Sequence, residues 1–191
     1  VSGAVNTIVA ARAGKDLVSS LAAGLLTVGP RFGGAINAAA GNWLAGVGNE
    51  LAARIFVEDF AKSGGVVPGI GHKKYHIDLP DPRVKALLEF ANNSNGDRYL
   101  MFALSVEKIT TSKKGNLILN VDGAIAAILL DILESEFGYG RQQLEELVEI
   151  EFFNALFVLS RSVGFSAHYL DQKRHDEGLL RLLPEDVRYI G

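Results

Sequence analysis

The chain has 191 residues, 48% hydrophobic and 21% charged, the balance of a globular core rather than a disordered segment. A formal net charge of −3 and a pI near 5.8 exclude the basic field that drives nucleic-acid binding. The absence of cysteine excludes disulfide and thiolate chemistry and fits a cytoplasmic protein.

The longest apolar run, Ala124 to Leu130, is far shorter than a membrane span, and no basic region opens a signal peptide. The chain starts at Val1-Ser2-Gly3 without Met, which reads as a fragment or a processed piece. A mean hydropathy of +0.18 fits either apolar surface hidden in an interface or an Ala- and Leu-rich helical core.

Strand patterning is weak and helical spacing frequent. Asp16 is placed to cap a helix carrying Leu17, Val18, Leu21, Leu25 and Leu26, stopped by Gly29-Pro30. Residues 31–48 are dense in glycine, which costs a helix about 1 kcal/mol each against Ala and implies close approach of backbones or of a ligand. Asn49 can cap a helix through Leu51, Ile55, Val57 and Phe60, ended by Gly64-Gly65. Residues 66–82 read as an irregular loop. Asp81-Pro82 is a strong helix start, followed by Val84, Leu87, Leu88 and Ala91 on one face. Asp97 is the expected cap of the next helix, with Leu100, Met101, Leu104 and Ile109 inward and a polar break over residues 110–115. Asp122 then opens a long apolar helix to about Phe137, and three coupled helical stretches are expected between about Arg141 and Asp176. The tail from Leu179 is short. The expected fold class is all-α, with a smaller subdomain over about 65–137.

Four constellations can carry chemistry. In Gly69-Ile70-Gly71-His72, glycines let the loop turn tightly and offer amides to a ligand, with the imidazole at its tip; the alternative is a loop histidine without a role. Arg83, at a helix start, suits bidentate binding of a carboxylate, or else pairs at the surface with Asp81 or Asp78. Asp122 lies where a polar segment with Lys113 and Lys114 gives way to an apolar helix. A carboxylate there can transfer a proton near a carbonyl, or simply cap the helix. Arg161, within an apolar helical stretch, needs an anion, either a protein carboxylate or a ligand. His168, seven residues on, is expected to be structural. No metal-ligand spacing, P-loop or dinucleotide fingerprint occurs, so nothing points to a metal site or to ATP binding by these residues.

Together these stretches resemble the citrate synthase superfamily and, within it, the citryl-CoA lyase module of ATP-citrate lyases. The resemblance is carried by Ala10-Ala11-Arg12-Ala13-Gly14-Lys15-Asp16, Arg31-Phe32-Gly33-Gly34-Ala35, Gly69-Ile70-Gly71-His72, Glu107-Lys108-Ile109-Thr110-Thr111-Ser112-Lys113-Lys114, Asn120-Val121-Asp122-Gly123 and Ala167-His168-Tyr169-Leu170-Asp171. It covers essentially the whole chain but only the later part of the family's domain, so the first large-domain helices would be missing. It implies a citrate-synthase-like helical fold with large and small subdomains, and cleavage of citryl-CoA to acetyl-CoA and oxaloacetate. In the resemblance His72 and Asp122 are catalytic: His72 at the citryl hydroxyl oxygen, helping to remove its proton, and Asp122 protonating the departing acetyl-CoA enolate. Arg83, Arg161 and, less directly, Arg181 would bind substrate carboxylates. Gly69, Ile70, Gly71, Lys113 and Lys114 would hold coenzyme A. Further implications are a cytoplasmic homo-oligomer, a dimer of dimers, joined to succinyl-CoA-synthetase-like modules.

Two departures bear on the reaction. Phe32 stands where citrate synthases carry a second catalytic histidine, which favours the lyase branch. A histidine in a D-H-G-P string that lyases carry just ahead of the match to Val1 is not in this chain. The competing readings are a citrate or 2-methylcitrate synthase, and a helical oligomerisation core without activity of its own.

Overall fold

A computed structural model describes residues 2–29, 33, 35–48 and 53–187, and among these it contains nine α-helices and no strand. Phe32 and the expected cap Asn49 lie outside the described residues. The chain divides into two compact units, Val1–Gly33 with Leu156–Gly191, and Gly34–Ala155; the stretch 65–137 falls inside the second.

In the first unit α1 (Ser2–Arg12) packs on α2 (Leu17–Leu25). No helix is expected over α1 from the sequence; its buried face is made by Gly3, Thr7 and Ala11, while Val5 and Val9 are exposed. Asp16 caps α2, accepting from the Ser19 amide at 2.8 Å. That bond also holds the Asp16 carboxyl below its ordinary value. Arg12 pairs with Glu177 at 2.9 Å and donates to the Gly178 carbonyl. This anchors the segment after the long helix α9 (Asn154–His175).

The second unit holds α3 (Ala35–Gly48), α4 (Ala53–Lys62), α5 (Pro82–Ala91), α6 (Arg98–Lys113), α7 (Val121–Ser135) and α8 (Arg141–Glu149). Its centre is the contact of α3 with α7, the first carrying the buried Ala39, Ala40, Trp43 and Leu44 and the second the buried Ala124, Ala127, Ile128 and Leu130. The glycine-rich stretch serves this packing. Gly46 faces the Phe102 ring, and Gly41 lies against Val148. Trp43, Phe56 and Phe102 form a tilted and edge-on cluster with centroids 5.4–6.2 Å apart, geometries that aromatic rings favour.

Local cap chemistry holds where it is strongest. Asp81 caps α5, accepting from the Arg83 amide at 3.0 Å, with Pro82 in the first turn. Four expectations are corrected. Asp97 makes no capping bond, and instead Asp131 of α7 accepts from the amides of Tyr99 and Leu100 at 2.8 and 3.0 Å. Met101 is 54% exposed rather than inward. The polar residues 110–113 continue α6, because the Thr110 hydroxyl is buried and donates to the Leu117 carbonyl at 2.7 Å. The stretch after Arg141 forms two helices, not three.

Burial pushes the Asp131 carboxyl up to about 6 from 3.8, although its two amide donors work in the opposite direction. The folded state therefore holds this proton more tightly than the unfolded chain. The group's stabilising contribution is full below about pH 3.8 and is lost as pH rises through about 6. Asp131→Asn removes that titration. The melting-temperature advantage of wild type over the variant is therefore expected to widen between pH 7 and pH ~4. A difference independent of pH would contradict this assignment.

Candidate active site

The site is built where residues 67–72 meet residues 116–123. Gly69 and Gly71 have φ of +90° and +97°, a region that residues with a Cβ seldom adopt. The turn they make runs beside residues 116–120, bridging Ile70 antiparallel to Leu119. The Gly71 amide donates to the Ile118 carbonyl at 2.7 Å, the His72 amide to the Asn116 carbonyl at 3.0 Å, and the Asn120 amide to the Gly69 carbonyl at 2.9 Å. Gly69 and Gly123 touch through their backbones, and a Cβ on either would strike the other. The buried indole of Trp43 donates to the Gly123 carbonyl at 3.0 Å.

Asn120 joins the two halves. Its side-chain oxygen caps α7, accepting from the amides of Asp122 and Gly123, both at 3.1 Å, while its Nδ2 donates to the Gly71 carbonyl at 3.0 Å. The helix cap is thus Asn120, and Asp122 sits half-buried in the first turn.

His72 is oriented by its own loop. Its Nδ1 accepts from the amides of Lys74 and Tyr75 at 3.0 and 2.9 Å, and its ring lies 4.7 Å from that of Tyr75. Two N–H groups aimed at Nδ1 assign the neutral tautomer that carries its proton on Nε2. His72 therefore presents a donor to whatever lies beyond Nε2.

Arg83 pairs with Asp81, as the surface alternative anticipated, but the partner is a fully buried carboxylate. Nε and Nη2 reach the two Asp81 oxygens at 3.0 and 2.6 Å. Asp81 is held below the ordinary carboxylate range, first by the hydrogen bond from Arg83 and, only when its ring is protonated, in part by His72. Arg83 is pushed up, first by Asp81 and then by the charges of Tyr75 and Asp122. His72, Asp81, Arg83 and Asp122 thus share one electrostatic neighbourhood. The guanidinium is half exposed, and its Nη1 takes no part in the Asp81 pair.

Lys113 ends α6 and Lys114 is its C-terminal cap, both exposed. Arg161, half-buried on α9, stacks over the Phe157 ring at 4.8 Å. Its helix is less apolar in context than its sequence, since Leu159 and Val163 are exposed. Arg181 and His168 are exposed. Arg161 and Arg181 belong to the first unit; His72, Arg83, Asp122 and the two lysines belong to the second. The sequence alone does not show Asn120 as a connector, Asp81 as a buried partner or Trp43 as a donor, and it gives Glu107 no role of its own. An Asx residue directly before a helix signals Asn120, whereas nothing local signals the others. Among the described residues no cluster of His, Asp and Glu has the form of a metal site, and no helix is long and apolar enough to cross a membrane.

An all-helical frame that gathers an imidazole donor, a carboxylate at a helix start and an anchored guanidinium around a glycine loop defines a site for acid–base chemistry beside a carbonyl. Residues 2–183 match the family described as citrate synthase, C-terminal domain, and the chain belongs to that family. An ATP citrate lyase from Methanothrix soehngenii, solved in complex with citrate and coenzyme A, superposes with a TM-score of 0.93 at 47% identity, over 100% of this chain and 31% of that one. A citryl-CoA lyase from Hydrogenobacter thermophilus superposes with a TM-score of 0.81 at 31% identity, over 100% of this chain and 70% of that one. A probable ATP-citrate synthase of Caenorhabditis elegans is 50% identical over 100% of this chain and 18% of its own length. The chain therefore spans less than a third of these ATP-citrate relatives.

Proposed function

We propose that the chain is the C-terminal part of a citryl-CoA lyase module, which cleaves citryl-CoA to acetyl-CoA and oxaloacetate within an enzyme of the ATP-citrate lyase type. The observation that carries this reading is the arrangement of His72 and Asp122 on two segments locked together by Asn120. The substrates bound to relatives, citrate with coenzyme A and (3S)-citryl-CoA, support it.

In cleavage, the hydroxyl oxygen of the citryl group loses its proton, the carbon–carbon bond breaks, and the electron pair moves into the acetyl-CoA enolate. His72 donates from Nε2 to the oxygen that becomes the oxaloacetate carbonyl, stabilising its negative charge. In that tautomer Nε2 cannot also take the hydroxyl proton. The base is therefore a different group, for which the upstream D-H-G-P histidine of the resemblance is the candidate. Asp122 returns a proton to the enolate carbon. Arg83 binds a substrate carboxylate through the edge that Asp81 leaves uncommitted, and Arg161 and Arg181 keep the carboxylate-binding role that the resemblance implies for them. The Gly69–Gly71 amides, Lys113 and Lys114 hold the coenzyme A moiety, the lysines facing its phosphates. The reading carries with it a cytoplasmic homo-oligomer, a dimer of dimers, fused or bound to the modules that make citryl-CoA. The exposed Leu159, Val163 and Leu170 of α9 offer apolar surface for such assembly.

The test is oxaloacetate release from synthetic citryl-CoA, comparing this chain with a form extended upstream by about one further group of helices. Release by the extended form alone is the expected result. Coenzyme A binding by this chain without turnover fits a core that lacks the upstream base. Condensation of acetyl-CoA with oxaloacetate, with no citryl-CoA cleavage, would replace the reading by a synthase.

A further inference from the structure

We propose that Glu107 is a positioning residue that sets the geometry between His72 and Asp122 from outside the site. Glu107 lies on α6, and its Oε1 accepts from the Leu119 amide at 2.7 Å. Leu119 is the centre of the segment that builds the site. Its neighbour Ile118 accepts from Gly71 through its carbonyl, Leu119 itself bridges to Ile70, and the next residue, Asn120, caps the helix of Asp122. A second side chain on the same helix acts on the same segment, as the Thr110 hydroxyl donates to the Leu117 carbonyl at 2.7 Å. Residues 107 and 110 lie one helical turn apart and share a face. They therefore grip the segment at two points, one taking an amide and the other giving to a carbonyl.

The setting of Glu107 argues that the bond does more than fill a gap. The carboxylate is half-buried and lines a half-open pocket of about 500 Å³ whose walls are mostly apolar, with Val84, Leu88, Leu104 and Ile118, and also carry Lys85 and Lys108. Burial pushes its carboxyl above the ordinary glutamate value. Among the described residues it has no ion-pair partner. A carboxylate in such surroundings is costly when it serves only packing, whereas a charge-assisted bond to one backbone amide is strong and directional. Releasing it frees the Leu119 amide, and the displacement passes directly to the His72 loop and to the Asn120 cap.

The inference rests on the lyase reading for its kinetic arm, and a second arm does not depend on that reading. In the full-length enzyme, Glu107→Ala is expected to lower kcat for citryl-CoA about 10- to 100-fold, the scale of an ångström-sized misplacement, with KM changed less than about threefold. Glu107→Gln, whose amide oxygen accepts the same N–H, is expected to keep most of the rate. Leu88→Ala, which widens the same cavity and leaves the Glu107–Leu119 bond in place, serves as a control for general destabilisation and should spare kcat. Independently of turnover, hydrogen exchange at the Gly71, Leu119 and Asn120 amides should accelerate in Glu107→Ala and not in Leu88→Ala. Unchanged exchange, a rate equal to wild type in Glu107→Ala, or equal rate losses in the Ala and Leu88 variants would overturn the proposal. If the wild-type enzyme does not cleave citryl-CoA, the lyase reading fails, and the exchange arm still decides the positioning role.

Discussion

Asp122→Asn in the full-length enzyme is expected to lower turnover of citryl-CoA by about 10²–10⁴-fold, the range associated with loss of a positioned acid or base, while coenzyme A binding stays nearly intact. The variant keeps the local fold because the side chain of Asp122 does not cap α7. That task belongs to Asn120, which accepts from the amides of residues 122 and 123. The substitution is close to isosteric and removes the charge and the ionisable proton. A loss confined to kcat means that the carboxyl acts in the transition state, whereas a rise in KM alone means that it binds substrate and transition state equally. Turnover reduced by less than about tenfold would remove Asp122 from the acid–base role. Pairing the kinetics with a binding measurement for coenzyme A separates loss of chemistry from loss of the site.

Gly123→Ala is expected to be the most damaging single methyl in the second unit. An added Cβ would run into the Gly69 carbonyl oxygen and meet the Gly69 Cα and the Leu119 Cδ1, both at 2.8 Å. Two of these three obstacles are backbone, so no rotamer change relieves them. Gly69 cannot retreat easily, since its φ of +90° and its bond from the Asn120 amide fix the turn. On its other side Ala39 and Trp43 close the space, 3.0 and 3.1 Å from where a Cβ on Gly69 would lie. The strain is expected to cost about 1–3 kcal/mol of stability, read as a lower denaturation midpoint with an unchanged m-value. Because the His72 loop and the Asp122 helix are the two bodies forced apart, turnover should fall by about 100-fold or more even in the folded fraction. A variant with full activity and wild-type stability would show that the loop and helix can separate without consequence.

The features legible in the sequence share a property. Asp16 and Asp81 cap their helices because the bond each makes closes within three residues, so the chain needs nothing distant to form it. The glycines of the 69–71 turn and the apolar run of α7 are likewise local statements. The features that were not legible involve partners far along the chain. Asp97 has the right residue type for a cap, but Asp131 on another helix reaches the same amides first. The polar run after Thr110 looks like a break, yet a buried hydroxyl finds a carbonyl seven residues on and the helix continues. α1 buries Gly3, Thr7 and Ala11, residues too small or too polar to mark the buried face in the sequence.

The candidate site divides along the same line. His72, Arg83 and Asp122 were nominated by residue type and by their neighbours in sequence, and their resemblance to the citrate synthase superfamily was readable from the same short strings. The full burial of Asp81 beneath Arg83 and the tie from Asn120 to Gly71 exist only once the chain has folded, whereas the tautomer of His72 is set within its own loop. The sequence by itself determined the all-helical class, the strongest caps and the identity of the candidate acid, donor and guanidinium, because propensity and chemical type reside in single residues and near neighbours. Tertiary structure alone decided how those groups face one another and which distant carboxylates hold them, because hydrogen bonds act over about 3 Å and only folding brings residues 72, 107 and 122 within that reach of a shared backbone.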